Sequence, residues 1–227
     1  MEHNRIALIA SLDTKLQETL YAKHEIESCG GQGLIIDIST KTLVHAGDAV
    51  GPADILARYG MTWEEFGPLD KAQSIETMSN ALTAVMPALY AEGLFDAVIS
   101  IGGGQNARMA AAAMKSLPFG VPKIVASSLA CGRRTMEQYV GDKDIMVVHT
   151  VADISGLNYT TKTVIHNVCH AALGMLQHQR QVTPDSRKKI AATMLGITSK
   201  GVEGALRLLP DGTYEKTCFH ANGVGGR

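Results

Sequence analysis

The strongest constraint in the sequence is a recurring unit. A short apolar run with little polar alternation is followed by a polar or glycine-rich junction and then by a helical pattern. "RIALIASLD", from Arg5 to Asp13, is the first such run, and it reads as a strand buried on both faces of a parallel sheet. "TKLQETLYAKHEIESCGG" follows with Leu16, Leu20, Ala22 or Lys23, and Ile26 at roughly helical spacing until Gly30 and Gly31 stop it, and "QGLIIDIST" supplies the next strand. This is a β-α-β unit. It repeats through "FDAVISI", "VPKIVASSLA" and "IMVVHTVAD", with helices expected over Lys71–Glu92 (bent at Pro87), Ala107–Leu117 and Tyr159 to about Gln179. On the last helix Val164, Val168, Ala171, Ala172 and Met175 form the expected buried stripe. The fold class is therefore α/β: a Rossmann-like, open, mostly parallel sheet with helices on both faces.

The pattern weakens from Lys41 to Leu69, where turn residues mix with short helical pieces around Trp63; an excursion over the sheet edge, as a lid or a partner-binding arm, is expected there. "QHQRQVTPDSRKK", from Gln177 to Lys189, is polar and carries a proline and a charge cluster, as linkers do. The division expected is a nucleotide-binding domain over 1–182 and a partial strand-helix-strand segment of a second α/β domain over 183–227. A tail of about forty residues cannot bury an independent core.

In a parallel open sheet the carboxyl ends of the strands share one edge, and ligands bind in the crevice there. The residues that follow the strands are polar: "SLDTK", "GGGQNA", "SSLACGRR" and "ADISGLN". "GGGQNA" formally fits a dinucleotide fingerprint through Gly102, Gly104 and Ala107, but the acid needed about twenty positions on is missing, since the first after Gly104 is Glu137. NAD is rejected, and so is a Walker loop, because no G-K-[ST] follows. What remains is a helix start whose backbone N–H groups favour anions. Gly102, Gly103 and Gly104 would allow close approach of a phosphate, and Gln105 and Asn106 would add donors. A strand-to-helix turn needing positive φ explains the glycines equally well.

Asp13, Thr14 and Lys15 place a carboxylate, a hydroxyl and an ammonium at another helix start, a set suited to a metal–phosphate group. Their bland reading is a helix cap at Asp13 or Thr14 with Glu18 closing a capping box. Ser127 and Ser128 could meet phosphate or cap a turn; Arg133 and Arg134 could pair with phosphate oxygens or be a solvated basic loop. Asp153 precedes a turn in which Gly156 and an Asn158 cap explain themselves. His166 and His170 are four apart with Cys169 between them, but the Glu of HExxH and a third ligand are lacking, so a surface role is expected and no metal centre is assigned. Cys131 lies in a basic loop without a local histidine partner, and His220 closes the last strand before another glycine-rich turn.

Composition narrows the partners. A formal net charge of -1 and 5% aromatic residues give no reason to expect nucleic acid or an anionic membrane. The four cysteines are widely spaced with no CxxC pair, and the start carries no signal-type or membrane-length apolar run, so a reducing cytoplasm is expected.

At "SLDTKLQE", "ISIGGGQNARMAAAAMKSLPFGVPKIVASSLA", "YVGDKDIMVVHTVADISGLN" and "FHANGVGGR" the chain resembles the tomato mosaic virus resistance protein-like ATP-binding domain family, with "LPFGVPK" and "DISGLN" as the more specific stretches. The resemblance spans essentially the whole chain. It implies a two-domain Rossmann-like homodimer with ATP, and Mg2+ with it, in the first domain, a second α/β domain extending past the point matching Arg227, and a protein partner for the plant member. Three functions are carried forward. They are a nucleotide-binding module; an enzyme acting on a small phosphorylated or carboxylated metabolite with Lys15, His149 or Asp153 as acid–base group; and an interaction protein with an unliganded crevice.

Overall fold

The strands that read as continuous apolar runs occupy the middle of the sheet. In the computed structural model, which describes residues 4–131, 139–178 and 185–226, the chain runs β1 (Arg5–Ala10), α1 (Leu12–Ser28), β2 (Gln32–Asp37), α2 (Pro52–Tyr59), α3 (Trp63–Phe66), α4 (Lys71–Ala91), β3 (Ala97–Gly102), α5 (Gly104–Lys115), β4 (Lys123–Ser127), β5 (Met146–His149) and α6 (Tyr159–Gln177). The five strands are ordered β2-β1-β3-β4-β5, and every pairing is parallel. All of β3 and β4 and five of six residues of β1 are buried, whereas the edge strand β5 has none buried. The central strands are almost wholly apolar because both faces are covered, and the mid-strand polar residue of β3, Ser100, is itself buried.

The strand period of two sorts the core into two layers. Ala7, Ile9, Ile36, Val98 and Val125 face α2, α4 and α5, while Ile6, Leu8, Ile35, Ile99 and Ile124 face α1 and α6. The segment 41–69 differs from the expected lid or arm. Ile55, Leu56 and Phe66 are at most 1% exposed in the first layer, and Trp63 stacks on Phe66 with ring centroids 5.3 Å apart. Its short helices bury an apolar stripe, which a freely opening lid could not do. On α6 the buried stripe is Ile165, Val168, Cys169, Ala172, Leu173 and Leu176; Val164 and Ala171 flank it, and Met175 is 37% exposed.

"LPFGVPK" is a structural clamp. Lys123, at 0% exposure, donates from Nζ to the carbonyls of Pro118 and Val121, each at 2.9 Å, and to Asp144 Oδ1 at 2.8 Å. Gly120, at φ +89°, donates its N–H to the other oxygen of Asp144 at 2.7 Å. A buried ammonium is tolerable because each of its protons finds an oxygen.

The described residues divide into two units near residue 180. In the second, β6 (Lys188–Met194), α7 (Ser199–Arg207) and β7 (Tyr214–His220) form a strand-helix-strand with a parallel pair, and no residue of α7 is buried. Among the described residues no helix is long and apolar enough to cross a membrane.

Candidate functional site

The strand order reverses direction at β1, with β2 on one side and β3 on the other, so the carboxyl ends of β1 and β3 flank a topological switch point. A crevice of about 270 Å³ opens there. It is lined by Ser11, Asp13, Thr14 and Lys15 after β1, by Thr40 and Lys41 after β2, by Lys71 at the start of α4, and by Gly103, Gly104, Gln105 and Asn106 after β3. The structure thus brings the "SLDTK" and "GGGQNA" loops together. Lys41 and Lys71 join them without a local motif to announce them, because each is an isolated lysine in a polar stretch and only the fold turns it toward the switch point. None of Lys15, Lys41 and Lys71 forms an ion pair among the described residues, so three ammoniums face one carboxylate, Asp13.

The two helix starts differ. At α1 the N-cap is Ser11, and the first free N–H groups are already taken: Leu12 donates to Asp37 Oδ1 at 3.0 Å and Asp13 to Ser39 Oγ at 3.0 Å. The Ser39 hydroxyl donates onward to Asp37 Oδ1 at 2.5 Å. Burial pushes the Asp37 carboxyl up from its ordinary value, against the pull of these hydrogen bonds and with the charge of Asp13 adding to the rise. A capping box from Glu18 does not form; Glu18 Oε1 accepts from the Gly156 N–H at 2.7 Å and ties α1 to the loop before α6. At α5 the N-cap is Gly103, which has no side chain to offer, and the N–H groups of the first turn face the crevice without an intrahelical acceptor. The anion-ready end is that of α5.

None of the three glycines has positive φ, so the turn does not explain them. A Cβ on Gly102 would come within 2.8 Å of Asn106 Nδ2, and one on Gly104 would overlap Leu129 Cδ1. Packing accounts for both. A Cβ on Gly103 would meet nothing within 4 Å, and it would project into open space beside the crevice. Asn106, 6% exposed, donates from Nδ2 to Ser100 Oγ at 2.9 Å and leaves Oδ1 buried without a partner at the same place.

The remaining candidates lie outside the crevice lining. Ser127 is fully buried and accepts the Leu129 N–H at 3.3 Å; the Ser128 hydroxyl donates to Asp153 Oδ1 at 3.2 Å. His149 ends β5, paired in register with Ser127, with its side chain exposed. Val151, just beyond, has φ +63° in a tight turn closed by Ala152 N–H to Thr150 O at 2.6 Å, a strained conformation for a β-branched residue. Cys131 is exposed, Cys169 is buried with its thiol pushed up to about 12 by desolvation, and the Nδ1 of His220 accepts from the Asn222 N–H at 3.2 Å. Arg133 and Arg134 lie outside the described residues.

A flavodoxin-like strand order with a cationic crevice at its switch point defines the class: an open, doubly wound α/β domain with a crevice at the strand ends. Within that class the chain belongs to the UPF0261 family. The model described as "Uncharacterised protein family (UPF0261) N-terminal domain" matches residues 4–181, and the corresponding C-terminal domain model matches 187–227. The chain is 31% identical over 226 residues to a UPF0261 protein of Clostridium tetani, covering 99% of this chain and 55% of that one. It is 32% identical over 231 residues to a UPF0261 protein of Mesorhizobium japonicum, covering 98% and 54%. The ToMV resistance protein Tm-1 of Solanum lycopersicum is 29% identical over 245 residues, covering 98% of this chain and 32% of that protein. The resemblance read from the sequence therefore holds, and the chain spans about half the length of the bacterial relatives it matches.

Proposed function

We propose that the crevice binds the phosphate groups of a nucleotide, ATP with Mg2+ being the form that the family likeness suggests. One observation carries this reading: the unsatisfied start of α5, the open side of Gly103 and three lysines with no ion pair among the described residues converge on one crevice at the β1/β3 switch point. The N–H groups of Gly104, Gln105 and Asn106 would donate to phosphate oxygens, and Lys15, Lys41 and Lys71 would supply charge. Asp13 and Thr14 are the oxygen donors suited to a divalent ion, directly or through water. A crevice of about 270 Å³ is smaller than a typical pocket for a whole drug-sized ligand. Among the described residues no aromatic side chain lines it, so recognition rests on the phosphates rather than on the base.

Calorimetric titration with ATP, with and without Mg2+, tests this. Binding should strengthen with Mg2+, raise the melting temperature and weaken by about tenfold in Lys15→Ala, the loss of one charge-assisted contact. Tripolyphosphate should compete. Absence of both heat and a melting shift at millimolar ATP would sink the proposal. The homodimer and protein partner implied by the resemblance belong to the same reading, and sedimentation with and without ATP tests the former.

A further inference from the structure

We propose a second site, independent of the crevice: a zinc-class divalent cation held between α1 and α6 by Glu25, His166 and His170. His166 and His170 are one helical turn apart, so both rings leave the same face of α6, and their centroids are 4.0 Å apart. The third ligand that the local sequence lacks comes from α1. Glu25 Oε2 is 2.8 Å from His166 Nδ1 and 4.0 Å from His170 Nε2, and one donor atom from each residue falls within 4.8 Å of the other two. Around a tetrahedral Zn2+ with N and O ligands at about 2.0–2.1 Å, donor atoms stand about 3.3 Å apart. The two distances to Glu25 bracket that value, so one separation would open and the other close by well under an ångström. Side-chain torsions of exposed histidines absorb such a change.

The chemistry of the set fits the ion. Two imidazoles and a carboxylate are borderline ligands that suit Zn2+ better than Mg2+ or Ca2+, which take all-oxygen shells. His166 would bind through Nδ1 and His170 through Nε2. Glu25 has 16% side-chain exposure against 52% for His166 and 39% for His170, so the carboxylate forms the floor and the rings the rim. Cys29 Sγ lies 3.6 Å from His170 Nε2 but is not within the donor triangle, which leaves the fourth position to water. Such an ion would clip together helices whose ligands are 141 residues apart in the chain.

The test uses the full chain stripped of metal with a chelator and then titrated with Zn2+, read by competition with a chromophoric chelator, and with Co2+, read by its visible absorption. One equivalent of Zn2+ should bind and raise the melting temperature, and Co2+ should show the intense bands of a four-coordinate site. His166→Ala, His170→Ala and Glu25→Gln should each weaken Zn2+ by at least about a hundredfold, since loss of an outer-shell partner alone costs 10–100-fold. The histidine side chains are exposed and Glu25→Gln keeps the size and shape of a partly buried side chain, so the variants should melt close to the metal-free wild type, which separates lost binding from lost folding. Lys15→Ala, which tests the crevice, should leave Zn2+ binding unchanged. No Zn2+ binding by the wild type, or equal binding by the three variants through cysteines elsewhere, would overturn the proposal.

Discussion

A methyl group added at Gly103 would meet nothing in the protein, whereas one at Gly102 or Gly104 would collide with Asn106 or Leu129. That contrast makes Gly103 the most informative residue of the crevice. Its φ of -71° and ψ of 175° suit alanine, so Gly103→Ala should stay within about 1 kcal/mol of wild-type stability by urea unfolding. The same substitution places a methyl where a phosphate would approach, so ATP affinity should fall about tenfold or more in calorimetry. Unchanged affinity would place the phosphate elsewhere. Val151 carries the opposite sign. Its side chain is 76% exposed and its φ is +63°, so little packing is at stake and the strain is borne by the backbone. Val151→Gly should stabilise by about 1 kcal/mol in thermal unfolding. The glycine triplet was legible in the sequence as a strand-helix junction. Which glycine has open space beside it was not, because Leu129, which lies against Gly104, comes from the loop after β4.

At the scale of elements, side chains from neighbouring segments decide how each strand and helix ends. The start of α1 is held by Asp37 at the end of β2, and Lys15 inside α1 departs from helical geometry at φ -132° and ψ 26°, which re-aims the first turn. A capping pattern read along the chain could not see a partner 25 residues away in another strand. Asp37 also sets a pH dependence. Its folded value is raised above the unfolded one, so the folded state takes up the proton more readily, and the burial penalty present at neutral pH is relieved as pH falls through the folded value. The stability of wild type relative to Asp37→Asn should therefore grow as pH falls from neutral toward about 4, in urea melts of both proteins. A flat difference would mean that the carboxyl titrates normally. The Lys123 clamp makes a larger claim on stability. Asp144→Ala removes the one anionic partner that a lysine with 0% exposure has among the described residues, and it should cost about 3 kcal/mol. Lys123→Met, which removes the charge as well, should cost less, because no unpaired ammonium remains.

For the molecule as a whole, the apolar runs and their spacing made the parallel sheet and its two helical layers readable before any coordinates. The strand order, and with it the switch point that gathers Lys41 and Lys71, depends on which strands pair and had no local signature. The same division between local and non-local signals applies to Glu25, which lies in α1 while the histidines it meets lie in α6. Burial is also unevenly shared along the chain. Both apolar core layers are built from residues between Ile6 and Leu176. In the second unit Ile190, Ala192 and Met194 are only half-buried on β6, their neighbours are exposed, and α7 buries no residue. A two-stranded sheet with one helix removes too little apolar surface from water to offset the entropy of ordering about forty residues. A chain ending at residue 182 should therefore unfold cooperatively with a urea midpoint close to that of the full chain. The isolated segment 183–227 should show no cooperative thermal transition by circular dichroism. A sharp transition in that segment would mean that its stability has a source other than the burial seen here. Loss of cooperativity in the shortened chain would mean that the first unit depends on the second.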